Sequence, residues 1–159
     1  MDDFTHFNPA GRVRMVDVSD KAETVRTALA AGRVRLNPDT LRLVKTGGLS
    51  KGDVLGIAQI AGILAAKHTS DLIPLCHPVP LTGADLNLTV NETDCAVDIQ
   101  AAVRCTGPTG VEMEALAAVS AAALTVYDMC KAVQRDITIE NIRLLRKEGG
   151  RSGVWERTE

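Results

Sequence analysis

Between Lys67 and Leu81 the chain reads KHTSDLIPLCHPVPL, and its three prolines exclude most regular structure there. Pro74, Pro78 and Pro80 lack a backbone N–H and hold the residue before each of them extended, which predicts neither a helix nor a central strand. Leu72, Ile73 and Leu75 are apolar enough to pin the segment against a core, with Cys76 and His77 presented at its turn. A stiff segment that offers a thiol and an imidazole suits a site. A buried edge with a satisfied histidine and an inert cysteine is the plain alternative. This stretch alone does not separate the two.

A chain of 159 residues is long enough to fold as one domain with a real core, here predicted as 1–159. A loose arm is expected over about 1–15 and a flexible tail over about 147–159. The formal net charge is -2, so nothing points to nucleic-acid or anionic-membrane partners. Two Phe, one Tyr and one Trp leave little for stacking on bases. Cys76, Cys95, Cys105 and Cys130 form no C-x-x-C pair. With no secretory pattern and no apolar run long enough for a bilayer, a reducing cytoplasmic compartment is expected.

Periodicity then predicts elements in order. Ser19 or Asp20 caps a helix with Ala22, Val25, Ala28 and Leu29 on its apolar face, stopped by Gly32. Arg26 lies beside that stripe as a solvated or snorkelling residue. Arg33–Leu36 is a short strand. Asn37-Pro38 opens a brief helix that ends at Gly47-Gly48. Ser50 and Asp53 form a capping box for a helix running to Lys67, with Lys51 in its first turn. Leu86, Leu88 and Val90 alternate, as do Cys95, Val97, Ile99, Ala101 and Val103, so a hairpin turns at Asn91–Asp94. Cys95 is placed on its buried face, and Cys105 is left undecided. Ile137, Ile139, Ile142 and Leu144 change phase near Asn141, which predicts a bulge.

From Gly107 to Val133 a long helix is expected, starting near Gly110 with Thr109 and Glu112 as a capping box. Its interior is nearly all Ala, Val and Leu, which implies burial around most of its circumference. Glu112 and Glu114 stand at one end, Asp128 and Lys131 at the other. A carboxylate in the last turns opposes the helix dipole, as does a lysine at a helix start. Asp128 and Lys131 share a face and can pair. Glu114 and Asp128 lie roughly 21 Å apart along the axis at 1.5 Å per residue. One compact ligand cannot touch both, so a shared chemistry would need a second protomer.

KGD at Lys51–Asp53, LIPLCHP at Leu72–Pro78, TGVEMEAL at Thr109–Leu116, YDMCKA at Tyr127–Ala132 and GGRSG at Gly149–Gly153 resemble the cyclic pyranopterin monophosphate synthase family. That family is also known as the molybdenum cofactor biosynthesis protein C family, and the likeness to it runs from Met15 onward. It implies a ferredoxin-like α+β fold, with an antiparallel sheet packed against helices. It implies a homohexamer, a trimer of dimers, with sites at the dimer interface. The implied reaction converts a 3′,8-cyclised dihydro-GTP to cyclic pyranopterin monophosphate with loss of diphosphate. The resemblance places substrate contacts at Leu75, Cys76, His77, Glu112, Met113 and Glu114, and catalytic roles at Asp128, Lys51 and Lys131. No metal-ligating residue and no cofactor are assigned, and the sequence leaves any divalent-metal requirement open. Pro108 stands where relatives can carry a basic residue, Leu36 where Met is common, and GGRSG replaces GGKSG.

That chemistry suits these residue types. Lys51 would meet phosphate. Asp128 and Lys131 would form an acid–base pair if burial lowers the lysine, and His77 would orient substrate or shuttle a proton. Arg146, Lys147 and Arg151 would close over phosphates as a basic lid, or form a plain solvated terminus. Two other classes remain. A metal protein would use Cys76, His77, His68 and Cys130, whose spacings match no usual zinc pattern. A nucleotide-binding regulatory module would have no use for Asp128 and Lys131 on a disfavoured helix end.

Overall fold

The computed structural model describes residues 10–158, so the first nine residues of the expected arm lie outside it. Five strands and four helices follow one another as β1 (Thr24–Arg35), α1 (Pro38–Thr46), α2 (Val54–Lys67), α3 (Thr69–Leu72), β2 (Leu81–Asn91), β3 (Ala96–Gly107), α4 (Glu112–Cys130), β4 (Thr138–Glu148) and β5 (Trp155–Glu156). The strands form one sheet in the order β2-β3-β1-β4-β5. All neighbouring strands are antiparallel. The first four make two interleaved split βαβ units, which is the ferredoxin-like arrangement.

The largest departure from the sequence reading is β1. Residues 20–32, expected as a capped helix, contain most of the central strand of the sheet. The Ala-rich run carries helix propensity, but pairing along both edges of β1 overrides it. Thr24–Arg35 pairs with β3 on one side, and Thr27–Arg35 pairs with β4 on the other. Ala28, Ala30, Gly32 and Val34 are buried at every second position, as a strand requires. Gly32 ends nothing. A Cβ there would stand 2.6 Å from Val119 Cγ1, so its role is to let α4 approach the sheet.

The hairpin, the brief helix and the bulge form where expected. Asn37 caps α1 by accepting from Thr40 N at 2.8 Å, and Gly47 closes it at φ 68°. Asn141 has φ 58° where the β1–β4 register shifts. Cys95 packs half-buried against the core as expected, but from the end of the hairpin turn at φ 49°, since the strand begins at Ala96. Cys105 takes the buried place in the alternating run Ile99, Ala101, Val103, Cys105. Leu72 and Ile73, expected to be buried, are 65% and 36% exposed. Thr69–Leu72 forms one helical turn ahead of Pro74.

Both predicted capping boxes are absent. Asp53 alone caps α2, its Oδ1 accepting from Gly56 N at 3.0 Å, so Lys51 precedes the helix and is not in its first turn. Helix α4 starts at Glu112 after Val111, with no side-chain cap. Here the carboxylate of Glu112 faces Lys147 instead, 3.7 Å away. Helix α4 also has the length and apolar character to cross a membrane, against the expectation that no segment has. In this fold it packs on the sheet and on α2, with Ala115, Ala118, Val119, Ala122, Ala123 and Val126 all buried. The other face of the sheet carries exposed Gln100, Ala102 and Arg104.

The α2–α4 contact depends on Gly62. A Cβ there would lie 2.2 Å from Leu86 Cδ2 and 2.9 Å from the Ala118 carbonyl oxygen. Leu86 can rotate away, but the α4 backbone cannot. Gly62→Ala is therefore expected to destabilise by about 1–3 kcal/mol despite the better helix propensity of Ala. Denaturant melts check this, and an unchanged or raised midpoint would contradict the close approach.

Candidate active site

The two ends of α4 carry two separate groups of polar side chains. At its C-terminal end Asp128 is held between two lysines. Lys131 Nζ lies 2.6 Å from Asp128 Oδ1. Lys51 Nζ donates to Asp128 Oδ2 at 2.9 Å and to the Asp128 carbonyl at 2.8 Å. The position of Lys51 follows from the Asp53 cap, since the turn ahead of α2 lies beside the last turn of α4. Side-chain exposures of 42%, 55% and 53% for Lys51, Asp128 and Lys131 leave the group open to solvent.

The electrostatics correct one expectation. Lys131, then Lys51, hold the Asp128 carboxyl down to a pKa of about 2. Asp128 in turn pushes Lys131 above the usual lysine value, and burial acts only weakly against it. In one protomer, therefore, Lys131 is not lowered toward neutrality. Both groups are charged, and the pair is an ion pair open to solvent.

At the N-terminal end of α4 lies a cavity of about 310 Å³. Leu75, Cys76 and His77 from the proline segment line it, with Glu112, Met113 and Glu114 from the first turn of α4. Val16, Val18 and Lys21 close another side. Glu114 is 4% exposed, and its Oε2 has no hydrogen-bond partner in the structure. Burial raises its pKa, and the Glu112 carboxylate adds to the shift. Burial also pushes the Cys76 thiol up, with Glu114 reinforcing it, so the thiolate is disfavoured and Cys76 is a poor nucleophile. His77 Nε2 stands 2.6 Å from the Val16 carbonyl oxygen.

The structure thus gathers Leu75, Cys76, His77, Glu112, Met113 and Glu114 at one place, and Lys51, Asp128 and Lys131 at another. It does not bring the two together in one chain. Fourteen residues of α4 separate Glu114 from Asp128, roughly 21 Å of helix. Among the described residues no three His, Cys, Asp or Glu side chains gather as a metal site. His68 pairs with Asp71 at 2.9 Å, and Cys130 is buried at the far end of α4 from Cys76.

Several residues around the cavity escaped the sequence reading. Arg26, read as solvated on a helix, is on β1, where its Nε donates to the Gly107 carbonyl at 3.1 Å and its Nη2 to that of Pro108 at 2.9 Å. It thereby fastens the loop that leads into Glu112–Glu114. A Cβ on Gly150 would sit 2.0 Å from Arg26 Nη1, so Gly150 packs onto the same guanidinium, while Gly149 lies against the Val25 carbonyl. Recognising β1 as a strand would have put Arg26 on the helix-facing side. Of the expected basic lid, Lys147 reaches Glu112 and also donates to Ser152 Oγ at 2.5 Å. Arg146 lies on the opposite face of the sheet with Leu29 and Arg104. Val16 and Lys21 carried no pattern that marks a wall of a site.

The MoaC family model matches residues 15–150. A cyclic pyranopterin monophosphate synthase of Chloroflexus aggregans is 57% identical over 159 residues, covering 100% of this chain and 96% of its own length. One of Heliobacterium modesticaldum is 57% identical with 100% of both chains covered. A third, from Desulfitobacterium hafniense, is 53% identical over 157 residues, covering 99% of this chain and 96% of its own. The matched span includes both ends of α4, the proline segment and the strand that carries Arg26, and the chain belongs to the MoaC family.

Proposed function

We propose that the chain is a cyclic pyranopterin monophosphate synthase, a lyase of molybdenum cofactor biosynthesis. Its substrate would be the 3′,8-cyclised dihydro-GTP and its products cyclic pyranopterin monophosphate and diphosphate. The observation that carries the reading is Asp128 clamped between Lys51 and Lys131 on a helix whose other end opens into a cavity lined by His77 and Glu114. A regulatory module that only binds nucleotide has no need for such a triad.

In this reading one protomer supplies the cavity at the N-terminal end of its α4, and a second supplies Lys51, Asp128 and Lys131. The assembly would be a homohexamer built as a trimer of dimers. Two exposed faces support assembly: the stripe of Ile57, Ile60 and Leu64 on α2 next to Leu124 on α4, and the uncovered side of the sheet. Docking would strip water from Lys131 and oppose the upward shift that Asp128 imposes, which brings the lysine toward a working pKa. Lys51 would neutralise phosphate charge while a ribose-derived hydroxyl attacks the α-phosphorus in line and diphosphate leaves. Glu114, buried with its Oε2 unpartnered, would meet polar groups of the substrate's ring system. The four cysteines are free, which suits a reducing, cytoplasmic setting.

Lys51→Ala, Asp128→Ala and Lys131→Ala should each slow diphosphate release from the cyclised substrate at least about a hundredfold, the low end for losing an acid–base group. Folding should be unchanged by circular dichroism. Near-normal release by any folded variant would remove that residue from the chemistry.

Sedimentation should show a species well above 16.9 kDa, and a fully active monomer would exclude a shared site.

The depressed Asp128 pKa also makes a pH prediction. Its ion pairs are fully present above the ordinary carboxylate value of 3.8 and are lost as pH falls through about 2. A carboxyl chemical-shift titration of Lys131→Ala should move the Asp128 midpoint upward, since Lys131 is the larger cause. An unmoved midpoint would mean the pair is not formed in solution.

A further inference from the structure

The stretch from Val16 to Lys21 belongs to no helix or strand, yet it forms one wall of the cavity and its Val16 carbonyl oxygen lies 2.6 Å from His77 Nε2. A carbonyl oxygen only accepts hydrogen bonds, so the ring nitrogen 2.6 Å from Val16 O must carry a proton. A neutral imidazole has one N–H, and that contact therefore decides which nitrogen holds it. The segment is built to keep this carbonyl in place. Asp17 Oδ1 accepts from Ser19 N at 2.9 Å and from Ser19 Oγ at 2.6 Å, and Lys21 N donates to the Val18 carbonyl at 3.0 Å. From the other side, Pro78 restricts the backbone of His77, and Cys76 N donates to the Ile73 carbonyl at 3.0 Å. Ring and carbonyl are both held from outside the contact itself.

We propose that the Val16 carbonyl fixes neutral His77 as its Nε2–H tautomer, so that Nδ1 is the atom through which His77 accepts a hydrogen bond or proton from substrate. Val16 acts as a positioning residue through its backbone, and the Asp17–Ser19 turn is the device that aims it. The role of Nδ1 toward substrate rests on the function proposed above, but the tautomer does not. Asp17, Lys21, Glu23, Cys76, Glu112 and Glu114 are the ionisable groups around the same space. None of them touches Nε2 in place of the Val16 carbonyl, which decides where the single proton of the neutral ring sits.

The test uses the full-length protein with ¹⁵N-labelled histidine and ¹³C-carbonyl-labelled valine, without substrate, at about two pH units above the usual histidine pKa of about 6.5. His77→Gln identifies which of the three histidines gives the signal. The expected result is a single Nε2–H tautomer whose proton exchanges slowly and correlates with a valine carbonyl carbon. Asp17→Ala should lose that correlation and lower the tautomer ratio by roughly tenfold, the worth of one hydrogen bond. Asp17→Asn, which keeps the accepting oxygen, should restore both. In turnover, Asp17→Ala should lower kcat by roughly threefold to tenfold with KM nearly unchanged. An Nδ1–H ring, a missing valine correlation, or an Asp17→Ala spectrum like the wild type would overturn the inference. A correct spectrum with no diphosphate release in the wild type would instead count against the proposed function alone.

Discussion

The structure depends on how closely α4 lies against its neighbours. Gly32 admits Val119 to the sheet, and Gly62 brings α2 to within contact of the Ala118 carbonyl. Between these two points the buried face of α4 is built from Ala115, Ala118, Val119, Ala122, Ala123 and Val126. Small side chains of that kind give many short contacts and little freedom to shift, because interiors packed to crystal-like density transmit any added volume to their neighbours. Helix α4 therefore acts as a rigid spacer. Both groups of polar residues are attached to it, and the roughly 21 Å between them cannot be shortened by a hinge.

This spacing explains the contrasting electrostatics of the two ends. Asp128 stands in solvent with two lysines and is held strongly acidic. Glu114 is buried with its Oε2 unpartnered, and burial pushes it toward its neutral form. One carboxyl is ready to stay charged, the other to exchange hydrogen bonds with whatever fills the cavity. Separate environments that drive two carboxyls apart are a means of assigning different acid–base tasks within one site. Here the two lie too far apart to share a small ligand unless protomers combine.

Much of this was legible in the sequence. Alternation gave the hairpin, Asn37-Pro38 and Gly47 bounded α1, and the phase change at Asn141 marked the bulge. The position of Asp128 against the helix dipole, with Lys131 one turn away to pair with it, singled out their end of α4. The central strand was not legible, because TALAAG has helix propensity and only pairing along both edges makes it a strand. That error carried Arg26 with it, and the guanidinium's hold on the Gly107 and Pro108 carbonyls was missed. The capping boxes failed for different reasons: Asp53 itself caps α2, and Glu112 turns to Lys147, more than thirty residues along the chain. Val16 was invisible because its contribution is a backbone carbonyl, which no residue type announces.

The claim that each site is made by two protomers is tested most directly by mixing two inactive variants. Asp128→Ala damages one end of α4 and His77→Ala the other. If the site is shared across a two-fold axis, subunit exchange between the two should restore about a quarter of the wild-type sites, since half the dimers are mixed and each holds one intact site. The account predicts that diphosphate release reappears on mixing and rises with the extent of exchange. Continued inactivity, with exchange confirmed by mass spectrometry of the intact assembly, would contradict it.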